Sequence, residues 1–141
     1  MKFYTEEWLA DVKAKTNDDA DYLKKTKALS VRVQALLCDC PGGLDKMMDV
    51  QFQKGKIVES LLEEKPMPSD WRSMPFDANK YMTRLVASYD GFGQIARGEV
   101  AAVQAISSGL LSIRGDPMKM MAKIGELNAF LDILKTIPAE Y

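Results

Sequence analysis

The chain has 141 residues, 47% of them hydrophobic and 28% charged, a balance typical of a folded domain and unlike that of disordered or low-complexity chains. Nineteen basic residues against twenty acidic ones leave a formal charge of -1, so there is no broad positive field to neutralise the phosphates of a nucleic acid. The absence of any histidine removes Ser-His-Asp and Cys-His arrangements and histidine-ligated zinc together.

A length near the commonest domain size, about 100 to 150 residues, predicts one domain with one core spanning residues 1–141. The opening segment, MKFYTEEWLADVK, turns acidic and polar too early for a secretory signal, and no stretch approaches the ~20 apolar residues that span a bilayer. A cytoplasmic protein is expected, with any membrane contact transient.

Thr5 is suited to cap a first helix, because its hydroxyl can accept from first-turn amides while Glu6 and Glu7 face the positive end of the dipole. That pattern stops near Thr16. Asn17, Asp18 and Asp19 then offer caps for a second short helix to about Lys27, with Tyr22 and Leu23 as its apolar contacts. Lys24, Lys25 and Lys27 form a local basic cluster, which follows the acids Asp18, Asp19 and Asp21 and reads as a solvated helix end.

From Leu29 the rhythm changes to two, with Leu29, Val31, Val33, Ala35 and Leu37 on one face of a strand. Pro41-Gly42-Gly43 breaks it. A second strand spans Leu44 to Gln53, and the turn Lys54-Gly55-Lys56 leads to a third from Lys56 to Glu64, an antiparallel meander. Cys38 and Cys40, the only cysteines, are expected to share a face of the first strand, too far apart for an unstrained disulfide. Reduced thiols follow, and with no third cysteine a metal site there is not expected.

Lys65 to Pro75 carries three prolines in eleven residues, which predicts an irregular surface loop, with Trp71 covering the edge of a core. Tyr81 to Ser88 reads as a fourth strand. Phe92, Ile95 and Ala96 mark a short helix ending at Gly98, and Val100 to Ser107 a second one closed by Gly109. A fifth strand, Leu110 to Arg114, turns at Gly115. Asp116 and Pro117 suit the N-cap and first turn of a final helix to about Thr136. Met120, Ile124, Leu127, Leu131 and Leu134 form its stripe, widened by Met121, Phe130, Ile133 and Ile137.

The segments Gly98-Glu99-Val100, Val103-Gln104-Ala105-Ile106-Ser107-Ser108-Gly109 and Leu110-Leu111-Ser112-Ile113-Arg114-Gly115-Asp116 resemble the sterol carrier protein domain. Two short helices that each end in glycine lead into a strand closing in Gly-Asp before a last helix. Ten residues separate Gly98 from Gly109 and five separate Gly109 from Gly115, as in that family. The opening FYTEEW, the paired helices and the meander resemble the short stand-alone prokaryotic members. The first hairpin departs from the pattern, with Pro41-Gly42-Gly43 in place of an acidic Asp-Gly turn, and the proline-rich loop has no counterpart.

The resemblance implies an α+β fold in which a five-stranded, mostly antiparallel twisted sheet is covered on one face by helices, with an apolar tunnel between the layers. It also implies binding or transfer of a fatty acid, fatty acyl-CoA or sterol-like molecule, with no catalysis and no cofactor. Helical phase then nominates Met82, Phe92, Ile95, Val103, Ile106, Leu110, Ile113, Met118 and Met121 as ligand-binding residues; methionine suits such a wall because it is unbranched and polarizable. Arg84, Arg97 and Arg114 are candidate partners for an acidic head group. The adjacent acids Glu6-Glu7, Asp18-Asp19 and Glu63-Glu64 point apart and suit no acid–base pair. The alternative reading is a dimerising or accessory interaction module whose apolar groove is filled by a helix, and either a monomer or a homodimer is consistent with the sequence.

Overall fold

The computed structural model of the protein describes residues 1–141. Thr5 begins the first element, its Oγ1 accepting from the Trp8 amide at 3.3 Å, and α1 runs from Glu6 to Asp18. Asp19 caps α2, Ala20–Lys25, by accepting from the Tyr22 amide at 2.9 Å.

β1 (Arg32–Cys40), β2 (Leu44–Gln53) and β3 (Lys56–Pro66) form the antiparallel meander that the alternation predicts. Val33, Ala35 and Leu37 face the main core together with Met48, Val50 and Phe52. Gly55 makes the β2–β3 turn at φ +85°, a conformation that side chains resist, and a Cβ there would lie 2.0 Å from Thr26 Oγ1 and 3.1 Å from the Thr26 carbonyl oxygen. Gly55→Ala is therefore expected to destabilise the protein by roughly 2–3 kcal/mol, read as a fall in the urea midpoint. At the outer edge of β3, the Asn17 side-chain amide donates to the Ile57 carbonyl and accepts from the Ile57 amide. Part of an otherwise unpaired edge is satisfied in this way.

β4 (Thr83–Ser88) pairs parallel with β1, and β5 (Leu111–Arg114) pairs antiparallel with β4, giving the order β3-β2-β1-β4-β5. A parallel neighbour needs a crossover connection. Residues 67–82 provide it by passing over the sheet face opposite the helices. The proline-rich segment is therefore more regular than expected: β3 extends to Pro66, and Asp70–Ser73 forms a single 3-10 turn. Trp71, 8% exposed, packs with Leu36 and Met47 in a second small core on that face. Asp45, whose side chain is fully buried, holds this strap through Arg72 Nε at 2.8 Å, the Ser69 amide at 2.9 Å and Ser69 Oγ at 2.7 Å. Arg84 secures its far end, donating to the Met74 and Pro75 carbonyls and to Gln34 Oε1.

The cysteines do not share a face. Asp39 takes a left-handed conformation, φ 59°, where the β1–β2 register slips between Leu37 and Cys40. That bulge turns Cys40 into the main core, while Cys38 packs beside Leu36 and Met47 on the strap side. Both thiols are free, and burial pushes that of Cys40 up to about 11.

On the main-core face α1 and α2 are joined by α3 (Tyr89–Ala96), α4 (Ala102–Ser108), α5 (Pro117–Ala122) and α6 (Ile124–Leu134). Gly109 ends α4 at φ 83°. Asp116 caps α5 through the Met118 amide, with Pro117 in the first turn. The single final helix expected from the stripe is in fact two: the backbone leaves helical geometry at Lys123, φ -109° and ψ 10°. At that joint Lys123 Nζ donates to the Ala28 carbonyl at 2.8 Å. No helix is long and apolar enough to cross a membrane.

Candidate functional site

Alternation on the sheet and helical phase above it direct apolar side chains toward one another between the two layers. The sheet contributes Val33 and Ala35 from β1, Met48, Val50 and Phe52 from β2, Thr83 and Leu85 from β4, and Leu111 from β5. Facing them are Phe92 and Ile95 of α3, Ala102 of α4, Met120 of α5, and Ile124, Leu127, Phe130 and Leu131 of α6. These residues enclose an internal cavity of about 50 Å³.

Fifteen of the sixteen lining residues are hydrophobic, and none carries a charge. The exception is Thr83, whose hydroxyl is committed to the Arg114 carbonyl at 3.0 Å. A polar ligand group entering here would find no free partner, and an ionised group would lose its hydration without compensation. The cavity is therefore selective for hydrocarbon. Its volume lies well below the ~300–1,000 Å³ of a site that encloses a drug-sized ligand.

Larger hollows lie at the surface, among them one beside Asp11, Lys15, Asp18 and Asp19 and another beside Arg32, Lys80, Tyr81 and Lys119. Both are open and mix charged with apolar side chains, so neither offers a wholly apolar wall.

Of the residues nominated from the sequence, Phe92 and Ile95 line the cavity. Met82, Ile106 and Leu110 are half-buried against the main core, and Ile113 is half-buried on β5. Val103, Met118 and Met121 stand in solvent, 50%, 80% and 48% exposed. All nine nominees come from the carboxy-terminal half, whereas the structure adds a wall from β1 and β2. The signal for that wall was the shared phase of Val33, Ala35, Met48, Val50 and Phe52. On α5, Met120 turns inward and is 2% exposed, which leaves Met118 and Met121 on the outer side of the helix.

The three arginines considered for a head group lie outside the cavity. Arg84 is occupied with Gln34 and the strap, Arg97 pairs with Glu99 beneath the Tyr141 ring, and Arg114 is exposed. The protein's own α6 closes the apolar groove, with Leu127, Phe130 and Leu131 forming one side of it.

No family model matches the chain, and no curated protein is similar to it in sequence. Similarity appears in solved structures. A crystal structure of sterol carrier protein 2 superposes with a TM-score of 0.77 at 12% identity, covering 97% of this chain and 100% of that one. The solution structure of a conserved hypothetical protein from Thermus thermophilus, suggested to be a sterol carrier protein, gives 0.76 at 14% identity over 99% and 92% of the two chains. The apo form of sterol carrier protein 2 from Yarrowia lipolytica gives 0.57 at 16% identity over 96% of each. At these identities the likeness is one of fold.

Proposed function

Because this chain has the sterol carrier protein fold, we propose that it binds an elongated apolar molecule, such as a fatty acid, a fatty acyl-CoA or a sterol-like lipid, between sheet and helices. It acts on that molecule as a carrier, without catalysis. The observation that supports this reading is the uncharged cavity wall, in which the one hydroxyl is already bonded within the protein.

The small volume of the cavity sets the energetics. Burying a long acyl chain contributes about 0.8 kcal/mol per methylene, on the order of ten kcal/mol in all. Against this stand the losses of ligand freedom and the cost of parting α5 and α6 from the sheet. The break at Lys123 lets α5 move without bending a continuous helix, and the observed volume requires such a movement before a whole lipid fits.

A titration with a fluorescent fatty acid tests the reading. The wild-type protein is expected to take up one equivalent in the micromolar range. Ile124→Ala removes side-chain volume from a half-buried position of the wall, which lowers the opening cost and should tighten binding roughly ten-fold. Ala35→Leu fills the space from the sheet side and should abolish uptake, with circular dichroism as the control for folding. A wild-type protein that takes up no fatty acid at any accessible concentration would end the carrier reading.

A further inference from the structure

Charge is unevenly distributed over this nearly neutral protein. Lys24 and Lys25 end α2, Lys27 follows, and Lys54 and Lys56 flank the β2–β3 turn; all five are exposed, and none forms an ion pair. The fold brings the two groups together, since the Gly55 amide donates to the Leu29 carbonyl and the Lys54 amide to Ser30 Oγ. Lys27, Lys54 and Lys56 consequently share one surface cleft with Leu23 and Val58, the last 43% exposed. Lys123, bonded to the Ala28 carbonyl, joins the cluster to the α5–α6 break. Met121 lies two residues before Lys123, Met118 one helical turn earlier, and Lys119 between them. The nearest acids on this stretch are Asp21, exposed one turn before Lys24 and Lys25 on α2, Asp116, whose Oδ1 is taken by the Met118 amide, and the half-buried Glu126.

Unpaired lysines beside outward-facing methionines combine long-range attraction to anions with side chains suited to hydrocarbon. A nucleic acid would use the lysines and leave the methionines in water; an anionic bilayer uses both. We propose that this end of the molecule, from Lys24–Lys27 and the β2–β3 turn to α5, docks on anionic phospholipid membranes. The lysines meet head groups while Met118 and Met121 enter the interface. Met120, on the inner side of the same helix, lines the cavity, so docking places the cavity wall one side chain away from the lipid. Docking serves loading only if the cavity takes lipid, and in that respect it rests on the proposed function.

Flotation of the ligand-free full chain with phosphatidylcholine vesicles, with and without phosphatidylglycerol, provides the test. The protein is expected to float with the anionic vesicles alone and to be released as salt rises to ~0.5 M. Each lysine near an anionic surface is worth roughly five-fold in partitioning, so Lys27→Gln, Lys54→Gln and Lys56→Gln together should weaken binding on the order of a hundred-fold. Met118→Gln with Met121→Gln should weaken it roughly ten-fold. All five positions are exposed, so these variants should melt like the wild type. Absence of flotation, equal flotation with neutral vesicles, or binding undiminished in the lysine variant would each overturn the proposal, as would tighter binding to single-stranded DNA with no methionine dependence. Uptake of fluorescent fatty acid from water separates the two readings. A protein that floats but takes up none keeps the docking surface and loses the cavity, and one that takes it up without floating does the reverse.

Discussion

Asp45→Ala is expected to destabilise the protein by roughly 3 kcal/mol, the lower end of the range for breaking a buried ion pair. The lower end applies because Arg72, 35% exposed, can recover water when its partner is removed. The rest of the cost comes from the Ser69 amide and hydroxyl and the Asp39 amide, which all converge on the same carboxylate. Because these bonds fasten the strap to the sheet, the loss should appear first around Trp71. In a Trp8→Phe background, Trp71 emission should shift to the red at denaturant concentrations where far-ultraviolet dichroism is still native. A cost below ~1 kcal/mol would mean that packing of Trp71 on Leu36 and Met47 holds the strap unaided.

The same carboxylate sets an acid limit. The Arg72 guanidinium, aided by the Ser69 and Asp39 donors, holds the Asp45 carboxyl well below the usual carboxylate range. A depressed folded-state pKa means that the unfolded chain takes up the proton first. Asp45 therefore contributes its full stability above an unfolded value of about 4 and loses it progressively as pH falls below that. Urea midpoints of the wild type should drop across that acid window, and those of Asp45→Ala should drop less.

Trp8→Ala should cost more still, about 3–5 kcal/mol, whereas Trp8→Phe should cost only ~1 kcal/mol. Trp8 is 1% exposed in an aromatic group centred on Phe3, with the Phe3 ring edge-on at 5.1 Å and the Tyr4 ring at 5.6 Å. Alanine would remove all of that contact. Phenylalanine keeps most of it and also removes the indole Nε1, a buried donor with no partner, whose desolvation the native fold already bears. Chemical denaturation of the two variants gives both values, and equal costs would show that the indole edge, rather than ring packing, matters.

Local chemistry was the part of the fold most readable from sequence. The caps at Thr5, Asp19 and Asp116, the turns at Gly55 and Gly109, and the two-residue rhythm of β1 all depend on neighbours within a few positions. What sequence did not show depends on partners far away in the chain. The spacing of Met120, Ile124, Leu127 and Leu131 continues through Lys123 without a flaw, and the joint there is tied to the Ala28 carbonyl. The segment around Trp71 looks irregular because of its prolines, yet a carboxylate at Asp45 organises it. Left-handed Asp39 separates the faces of Cys38 and Cys40, which simple alternation cannot anticipate. Helical phase found Phe92 and Ile95 for the candidate site. It could not choose among Met118, Met120 and Met121, because that choice depends on how a short separate helix is rotated against the sheet.

The parallel pairing of β1 with β4 has a kinetic consequence. β1, β2 and β3 are neighbours in both sequence and space, so the meander can assemble from short loops, but β4 must return past the whole hairpin and the strap before it reaches β1. Such non-local closure is the slow part of folding. The cavity is walled by β1 and β2 together with β4 and segments that follow it, so it exists only once that closure is complete. A ligand held there interacts with nothing on the way in to the native state. It should lengthen the lifetime of the folded protein, lowering the unfolding rate in proportion to the stability gained, and leave the refolding rate unchanged.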